Sequence, residues 1–239
     1  MPVQTDSQPI WKTEGDAKRS AVQSMFAEIA PTYDLMNSLM TFRQHYRWRA
    51  LATQKLNLRP GDTAIDICSG TGDFLPLLRK AVDKGVVLGL DFCAPMLQLA
   101  RPKGADGLTV GDACRLPVRA NVAHGVTVGW GIRNVPDIDL AHREIYRVLR
   151  PGGTFVSIDM ARPRNPLVRW AAETVNVAIL PLLGSLFRRR EAYKYLPESA
   201  KLFKSREELI ASMERAGFVA TGFRDLMLGT VCMHWGMKA

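Results

Sequence analysis

A glycine-rich turn and an acidic residue follow two predicted buried strands in the first half of the chain. One strand covers residues 63–67 and leads into Gly70-Thr71-Gly72, and the next covers residues 86–90 and ends at Asp91. Glycine permits a sharp turn and a close approach of the backbone to a ligand. Ligands of parallel α/β sheets bind outside the carboxyl ends of the strands, where a carboxylate accepts hydrogen bonds from ribose hydroxyls. The pair therefore predicts a cofactor that contains a nucleoside.

Two classes of nucleoside cofactor compete for this turn. A dinucleotide fingerprint needs a third glycine where Leu75 stands. Asp66 and Asp73 flank the turn, where they would repel a pyrophosphate but attract the sulfonium and ammonium groups of S-adenosylmethionine. We therefore predict S-adenosylmethionine rather than a nicotinamide dinucleotide. A tight turn without any ligand is the structural alternative.

The 239 residues have the composition of a soluble globular protein, with 47% hydrophobic and 23% charged residues. A formal net charge of +9 suits a nucleic-acid partner, an anionic membrane surface or simply a basic proteome. The four cysteines show no C-x-x-C spacing, so we expect reduced thiols in the cytoplasm and no metal site. Residues 1–20 lack the apolar core of a signal peptide and are predicted to form a flexible leader.

A single α/β domain is predicted over residues 21–239. Strands alternate with helices, which implies parallel strands joined by right-handed crossovers. The five expected parallel strands cover residues 63–67, 86–90, 108–110, 125–129 and 154–158. The last two strands, 218–226 and 230–237, are joined by a short connection and should form an antiparallel pair at the sheet edge. Ser205 and Glu208 predict a capping box on the helix before them.

Further segments of the chain resemble a known family, the menaquinone/ubiquinone biosynthesis C-methyltransferases, which are class I S-adenosylmethionine-dependent methyltransferases. The similarity runs from Phe26 to Lys238 and is carried by Phe26–Asn37, Gly131–Val135, Arg147–Gly153 and Tyr193–Ser199. It implies a Rossmann-like α/β fold, with a seven-stranded, mostly parallel sheet, a reversed last strand and helices on both faces. It also implies that helical residues 21–55 lie on the acceptor side and that residues 162–204 form a helical lid.

The resemblance implies that the glycine-rich turn holds the methionine part of S-adenosylmethionine. Gly70, Thr71 and Gly72 would surround it, and Asp91 would bind the ribose. Asp66 faces the donor ammonium in one interpretation and caps the following helix in the other. This chain has all five of these residues in its sequence.

The adenine end of the donor is assigned to a later loop. Asp112 would accept from the exocyclic amine, and the backbone N–H of Ala113 would donate to the ring. A carboxylate after Gly111 is also typical of a turn that stabilises itself. Gly129 is a further predicted cofactor contact, although some family members carry a hydroxyl residue there.

The implied reaction methylates a ring carbon of a prenylated quinol, with demethylmenaquinol converted to menaquinol. Carbon becomes nucleophilic when an adjacent hydroxyl loses its proton, so the site needs a base and groups that stabilise a phenolate. Arg133 and Asn134, which follow the fourth predicted strand, are the predicted catalytic residues. A structural ion pair of Arg133 with Asp159 or Asp137 is the alternative.

Four residues are predicted to bind the acceptor: Tyr33, Asp34, Asn37 and Tyr195. Packing of the N-terminal segment and of the lid is the alternative role for them. His45 is a candidate base because imidazole titrates near neutrality, although a lone histidine more often serves packing or hydrogen bonding.

Several alternatives stay open at this level. The acceptor could be another small molecule or RNA, or the chain could be a non-catalytic cofactor-binding partner in a quinone-synthesis complex. Residues 130–134 lack the Asn-Pro-Pro-aromatic motif of amino-group nucleic-acid methyltransferases, so no nucleic-acid partner is expected. The apolar stretch 167–187, next to three arginines, raises the hypothesis of peripheral contact with the inner membrane surface. A homodimer is also left open.

Overall fold

Seven strands form one sheet in the computed structural model, which describes residues 15–175, 195 and 198–239. In chain order they are β1 (Thr63–Ile67), β2 (Val86–Asp91), β3 (Gly107–Val110), β4 (Ala123–Gly129), β5 (Leu149–Met160), β6 (Phe218–Leu226) and β7 (Val231–Lys238). Their order across the sheet is β3-β2-β1-β4-β5-β7-β6. The first five are parallel, and β7 runs antiparallel to both β5 and β6. The predicted reversed last strand is confirmed.

The sheet opens a crevice where the strand order changes direction. Strands β2 and β3 lie on one side of β1, and β4 and β5 lie on the other. The connections that follow β1 and β4 therefore diverge above the carboxyl ends of these strands. Ile65, Ile67, Val126 and Val128 in the two strands are at most 1% exposed. Burial on both faces explains why most residues of these strands are apolar. The buried polar residues Asp66 and Thr127 form a hydrogen bond with each other.

Besides the helical residues 166–175 and 198–201, seven α-helices surround the sheet in the described part of the chain. They are α1 (Gly15–Ile29), α2 (Tyr33–Met40), α3 (Gln44–Lys55), α4 (Leu75–Val82), α5 (Ala94–Ala100), α6 (Ile138–Val148) and α7 (Arg206–Arg215). One apolar layer joins α6 and α7 to the sheet, and a second layer joins α3 and α4 to it. Ile65 belongs to the first layer and its neighbour Ala64 to the second, as the alternation of side chains along a strand requires.

Side-chain caps fix the beginnings of two helices. The Asp137 carboxylate accepts from the backbone N–H of Leu140 at the start of α6. Ser205 and Glu208 form the predicted capping box at the start of α7, and Gly217 follows that helix with a φ of +104°. These caps satisfy N–H groups that have no partner within the helix.

Three stretches differ from the expected elements. Residues 15–20 of the expected leader belong to α1, and residues 1–14 lie outside the described residues. Strand β5 begins at Leu149 rather than at residue 154, because Leu149 pairs with Ala123 before a register shift. Helix α3 was not predicted as a separate element, since its buried face carries His45 and Arg49 among apolar residues.

The region assigned to the lid is described only in part. Residues 166–175 and 198–201 are helical, whereas residues 176–194 and 196–197 lie outside the described residues. Among the residues that are described, no helix has the length and apolar character needed to span a membrane.

Candidate active site

A cavity of about 700 Å³ opens at the carboxyl ends of β1, β2 and β4. Seven of the residues predicted from the sequence line it: Tyr33, Gly70, Asp91, Asp112, Ala113, Gly129 and Asn134. Sequence reasoning did not select Arg19, Phe26, Phe92 or Met96, which also line it. Their positions depend on how α1 and α5 pack together, and no local motif marks them. We refer to this space as the donor cavity.

The glycine-rich turn uses its two glycines for different purposes. Gly70 has a φ of +56° and no atom within 4 Å of a Cβ placed on it. Gly72 has a φ of +85°, and a Cβ there would lie 2.7 Å from Leu75 and 2.8 Å from Ala100. Gly72 is thus required for packing of α4 and α5 rather than for lining the cavity. Leu75 fills the place where a dinucleotide fingerprint needs a glycine.

Asp91 is buried at the end of β2, and its carboxylate accepts hydrogen bonds from two backbone N–H groups. Its Oδ2 accepts from the N–H of Gly70 at 2.7 Å, and its Oδ1 accepts from the N–H of Cys93 at 2.8 Å. Burial raises the pKa of Asp91 to about 6. Each carboxylate oxygen keeps further acceptor capacity, so Asp91 is positioned to receive two ribose hydroxyls. The two backbone bonds are a structural role that the sequence did not suggest.

Helix α1 closes the end of the donor cavity that lies at Asp112, the residue predicted to bind the adenine. The Oδ1 of Asp112 accepts from the N–H of Cys114 at 2.9 Å, which is the turn-stabilising contact expected as its alternative role. Its Oδ2 lies 2.7 Å from Nη2 of Arg19 on α1. Helix α1 is held there by Gln23, whose Nε2 donates to the carbonyl of Phe92 at 2.8 Å.

A second, larger cavity lies beside the first. The space that it borders is about 1630 Å³, part of which is open to solvent. Apolar side chains from α1, α2, residues 166–175 and the β6–β7 connection form most of its wall. We refer to it as the apolar cavity. Phe26, Tyr33 and Trp130 line both cavities and therefore form the wall between them. The two cavities are therefore neighbours at these three side chains.

Two predicted acceptor residues meet at this wall. Tyr33 and Asn37 are joined by a side-chain hydrogen bond, and burial raises the pKa of the Tyr33 phenol. Both residues line the apolar cavity. Tyr195 is not among the residues that line either cavity, and its hydroxyl donates to Oδ1 of Asn134 at 2.8 Å. Asn134 in turn donates to the carbonyl of Trp130 at 3.0 Å, so Tyr195 acts on the site through Asn134.

Arg133 forms an ion pair with Asp159. This is the structural role that was predicted as the alternative to catalysis. Its Nη1 donates to Oδ1 of Asp159 and to the carbonyl of Trp130, and its backbone N–H donates to Oδ2 of Asp159 at 3.2 Å. Burial opposes the charge of the guanidinium, but Asp159 raises the pKa of Arg133 above its ordinary value. Arg133 also lines the apolar cavity, and its buried Nε has no hydrogen-bond partner among the described residues. The pair with Asp159 therefore leaves the buried Nε–H without a partner among the described residues.

His45 is poorly suited to act as the base. Its Nδ1 accepts from Nη1 of Arg49, because a guanidinium only donates, and its Nε2 lies 3.3 Å from the hydroxyl of Ser38. Burial and then the charge of Arg49 lower the pKa of His45 to about 4. The imidazole is thus neutral near pH 7, with its lone pair already engaged.

Asp34 lies away from the apolar cavity and joins α2 to the glycine-rich turn. It accepts from the hydroxyl of Thr71 and lies 3.0 Å from Nζ of Lys103. Lys103 contacts Asp73 at 2.7 Å, and Asp73 lies 3.2 Å from Nη2 of Arg49 on α3. This chain of charges ties the N-terminal helices to the donor side of the sheet.

Asp66 points to the interior next to the turn. Its two oxygens accept from the hydroxyls of Ser69 and Thr127, at 2.8 Å and 2.7 Å. Burial raises the pKa of Asp66 to about 7. The carboxyl does not cap the helix that follows, which removes one of its two predicted roles.

The sequence model of the ubiE/COQ5 methyltransferase family matches residues 13–238. The chain belongs to this family. A demethylmenaquinone methyltransferase of Staphylococcus aureus is 36% identical to it over 231 residues, which cover 94% of this chain and 96% of that protein.

Solved structures show the same fold at lower identity. A Thermotoga maritima protein described as an S-adenosylmethionine-dependent methyltransferase, possibly a histamine N-methyltransferase, has a TM-score of 0.66 at 21% identity, covering 91% of this chain and 99% of that one. The geranyl diphosphate C-methyltransferase of Streptomyces coelicolor, solved with S-adenosylhomocysteine, has a TM-score of 0.61 at 13% identity, covering 83% and 80%.

This chain is therefore an S-adenosylmethionine-dependent methyltransferase with a Rossmann-like fold, as the sequence predicted. The donor cavity fits this cofactor on its own chemistry. It offers Asp91 at the sheet edge for a ribose and no cluster of cations for a pyrophosphate among its lining residues. Within the described part of the chain, no group of three potential metal ligands occurs.

Proposed function

We propose that the protein methylates a ring carbon of a prenylated quinol, converting demethylmenaquinol to menaquinol. The observation that carries this proposal is the apolar cavity of about 1630 Å³ that shares a wall with the donor cavity. Its size and lining suit an aromatic head group with an apolar tail, because ligand sites of this kind are mostly apolar with a few polar groups that set orientation. The 36% identical relative named a demethylmenaquinone methyltransferase supports the same acceptor.

Few polar side chains line the apolar cavity. They are Thr32, Tyr33, Asn37, Thr41, His45, Arg133 and Thr230. Arg133 is the one cation among them that is charged at neutral pH, since the pKa of His45 is lowered to about 4. An RNA strand would bring many phosphates to a site with a single, already paired cation, so this lining disfavours RNA.

Arg133 is proposed to stabilise the phenolate that makes the ring carbon nucleophilic. Its guanidinium stays protonated, so it binds an anion rather than removing a proton. The pair with Asp159 holds the guanidinium in place, and the unpartnered Nε–H is available to an acceptor oxygen of the quinol. The bound S-adenosylmethionine supplies an electrophilic methyl group. Asn134, held by Tyr195, borders the donor cavity and is proposed to position the reacting groups.

The test is methyl transfer to a defined acceptor. Purified protein is incubated with methyl-labelled S-adenosylmethionine and reduced demethylmenaquinone, and the label is followed into the lipid extract. We expect label in menaquinol, attached to a ring carbon. Donor binding without transfer to any quinol would support the non-catalytic alternative, and transfer to another acceptor alone would refute the proposed substrate.

Contact with an anionic membrane is proposed as part of this function, because a prenylated quinol resides in a bilayer. Phe42 and Leu228 line the apolar cavity and are each 81% exposed, with the exposed Trp170 on the nearby helix. The exposed Arg43 and Arg47 would attract anionic lipid but repel the same face of a second copy. Aromatic and apolar side chains beside arginines are typical of surfaces that lie at a membrane interface.

Flotation with vesicles that contain anionic lipid tests this contact. Phe42→Ser with Leu228→Ser should reduce flotation severalfold, whereas Val110→Ser, at an exposed apolar position on β3, should not. Equal flotation of all variants would contradict the assignment of the surface. Loss of a sedimenting dimer in the double variant instead would show that a second copy covers it.

A further inference from the structure

Helix α2 has contacts with both cavities. Tyr33, Asn37 and two methionines of the helix line the apolar cavity, and Tyr33 also lines the donor cavity. Asp34, which follows Tyr33, contacts the donor side of the sheet instead. Its carboxylate accepts from the hydroxyl of Thr71 in the glycine-rich turn and lies 3.0 Å from Nζ of Lys103. One short helix thus borders the apolar cavity and is joined to the turn beside the donor cavity.

The glycine-rich turn links this contact to the donor cavity. The N–H of Gly70 donates to Oδ2 of Asp91 at 2.7 Å, and both residues line the donor cavity. Thr71 follows Gly70, is 2% exposed and does not line that cavity, and its hydroxyl donates to Asp34. A ligand restrains the backbone that it contacts. A donor bound at Gly70 and Asp91 would therefore fix the backbone that places the Thr71 hydroxyl.

Apolar burial contributes little to the position of α2. Among its eight residues, all of which the structure describes, Met36 alone is buried, and the two leucines are 52% and 49% exposed. Phe42 and Arg43, which follow the helix, have φ values of +47° and +60°, a region that costs energy for residues other than glycine. Elements with few buried apolar contacts open locally at a low cost in free energy. The polar contacts of Asp34 should therefore decide where α2 lies.

We propose that Asp34 is a positioning residue that couples the two cavities. A bound donor fixes the glycine-rich turn, and Thr71 then holds Asp34. Helix α2 is thereby kept in the position where Tyr33 and Asn37 border the acceptor. The coupling is reciprocal, because two ligands that favour the same position of α2 raise each other's affinity by the same factor. The role of α2 at the acceptor rests on the proposed function, whereas its link to the donor does not.

Hydrogen exchange of the full chain, with and without S-adenosylhomocysteine, tests the link to the donor. Saturating ligand should slow exchange of the α2 amides at least about fivefold, the lower end of typical coupling between sites. Asp34→Ala should abolish this slowing, while the glycine-rich turn is still protected by the ligand. Asp106→Ala, which removes a carboxylate paired with Arg79 outside both cavities, should retain it. Unchanged exchange of α2 in wild-type protein would overturn the proposal, as would full slowing in Asp34→Ala.

Calorimetry with an acceptor tests the link to the apolar cavity. The probe is demethylmenaquinol with one prenyl unit, kept reduced without oxygen, because S-adenosylhomocysteine carries no methyl group to transfer to it. Saturating S-adenosylhomocysteine should raise the affinity of wild-type protein for this quinol at least about fivefold, and that of Asp34→Ala by a factor of about one. Equal factors in the two proteins would overturn the coupling. Ligand-dependent protection of α2 without any binding of the quinol would refute the proposed acceptor and support the link to the donor.

Variants of Thr71 cover the case in which Asp34→Ala does not fold. Thr71→Val keeps the shape of the side chain but lacks the hydroxyl, whereas Thr71→Ser keeps the hydroxyl. Thr71→Val should lose the slowing of α2 and the gain in quinol affinity, and Thr71→Ser should keep both. Each factor compares a variant with itself, so a general loss of stability or of donor affinity does not change it. Equal factors in the two Thr71 variants would overturn the assignment.

Discussion

The Arg133–Asp159 pair allows the structural and catalytic roles of Arg133 to be measured separately. Both side chains are 3% exposed, and Asp159 accepts from the side chain and from the backbone N–H of Arg133. Removing one partner leaves the other charge buried and uncompensated. Arg133→Met and Asp159→Asn should therefore each lower the free energy of unfolding by about 3–5 kcal/mol.

The double variant removes both charges and should recover much of this loss. We expect it to be more stable than the sum of the single effects predicts, by at least about 2 kcal/mol, because neither charge remains unpaired. Urea unfolding of the four proteins measures the coupling. Additive losses would show that Arg133 and Asp159 do not act as a unit.

Turnover of the same four proteins addresses catalysis. If Arg133 stabilises the phenolate, the refolded double variant should still lose about 10²- to 10³-fold in kcat, as expected when a preorganised electrostatic contact is removed. Its affinity for S-adenosylhomocysteine should change little, since Arg133 lines the apolar cavity. Near wild-type kcat in the stable double variant would refute the catalytic role and leave a structural ion pair.

Three further predictions concern residues in and around the donor cavity. Asp91→Ala should abolish calorimetric binding of S-adenosylhomocysteine, and unchanged affinity would refute the ribose assignment. Gly72→Ala should unfold at lower urea than Gly61→Ala, since both have positive φ but only Gly72 lacks space for a Cβ; equal midpoints would contradict this. Burial raises the pKa of Asp91 to about 6, and the ionised form of this carboxyl is the one proposed to accept from the ribose hydroxyls. Affinity for S-adenosylhomocysteine should thus rise from about pH 5 to about pH 8 with proton release, and a flat profile would contradict it. The pH dependence of unfolding is a less direct test. The raised carboxyl pKa lowers stability as pH rises, whereas the pKa values of His45, His142 and His234, lowered to about 4, have the opposite effect.

Much of the sheet could be predicted because its signals are local. The limits of β1, α5 and β6 agree with the apolar runs and the breakers that surround them. A strand buried on both faces is a continuous apolar run, and this pattern does not depend on distant parts of the chain. Helix α3 was not predicted as a separate element, because the polar residues His45 and Arg49 on its buried face interrupt the apolar pattern.

The site was predictable where it follows strand ends and less so where it depends on packing. Asp91, Asp112 and Gly70 line the donor cavity as expected because the carboxyl edge of the sheet places them there. Asp34 was expected at the acceptor but contacts Thr71 and Lys103, which are distant in sequence. Arg19 and Arg49 lie on helices that precede the sheet and reach the donor cavity and the space next to it. No spacing of residues in the sequence predicts these contacts.

The proposed function rests on the claim that the apolar cavity receives a prenylated acceptor beside the donor. Comparing kcat/KM for demethylmenaquinol that carries one prenyl unit with that for the tail-less head group tests it directly. Burial of each methylene is favourable by about 0.8 kcal/mol, so the five carbons of one unit should raise kcat/KM at least about tenfold. Equal kcat/KM for the two acceptors would contradict the claim.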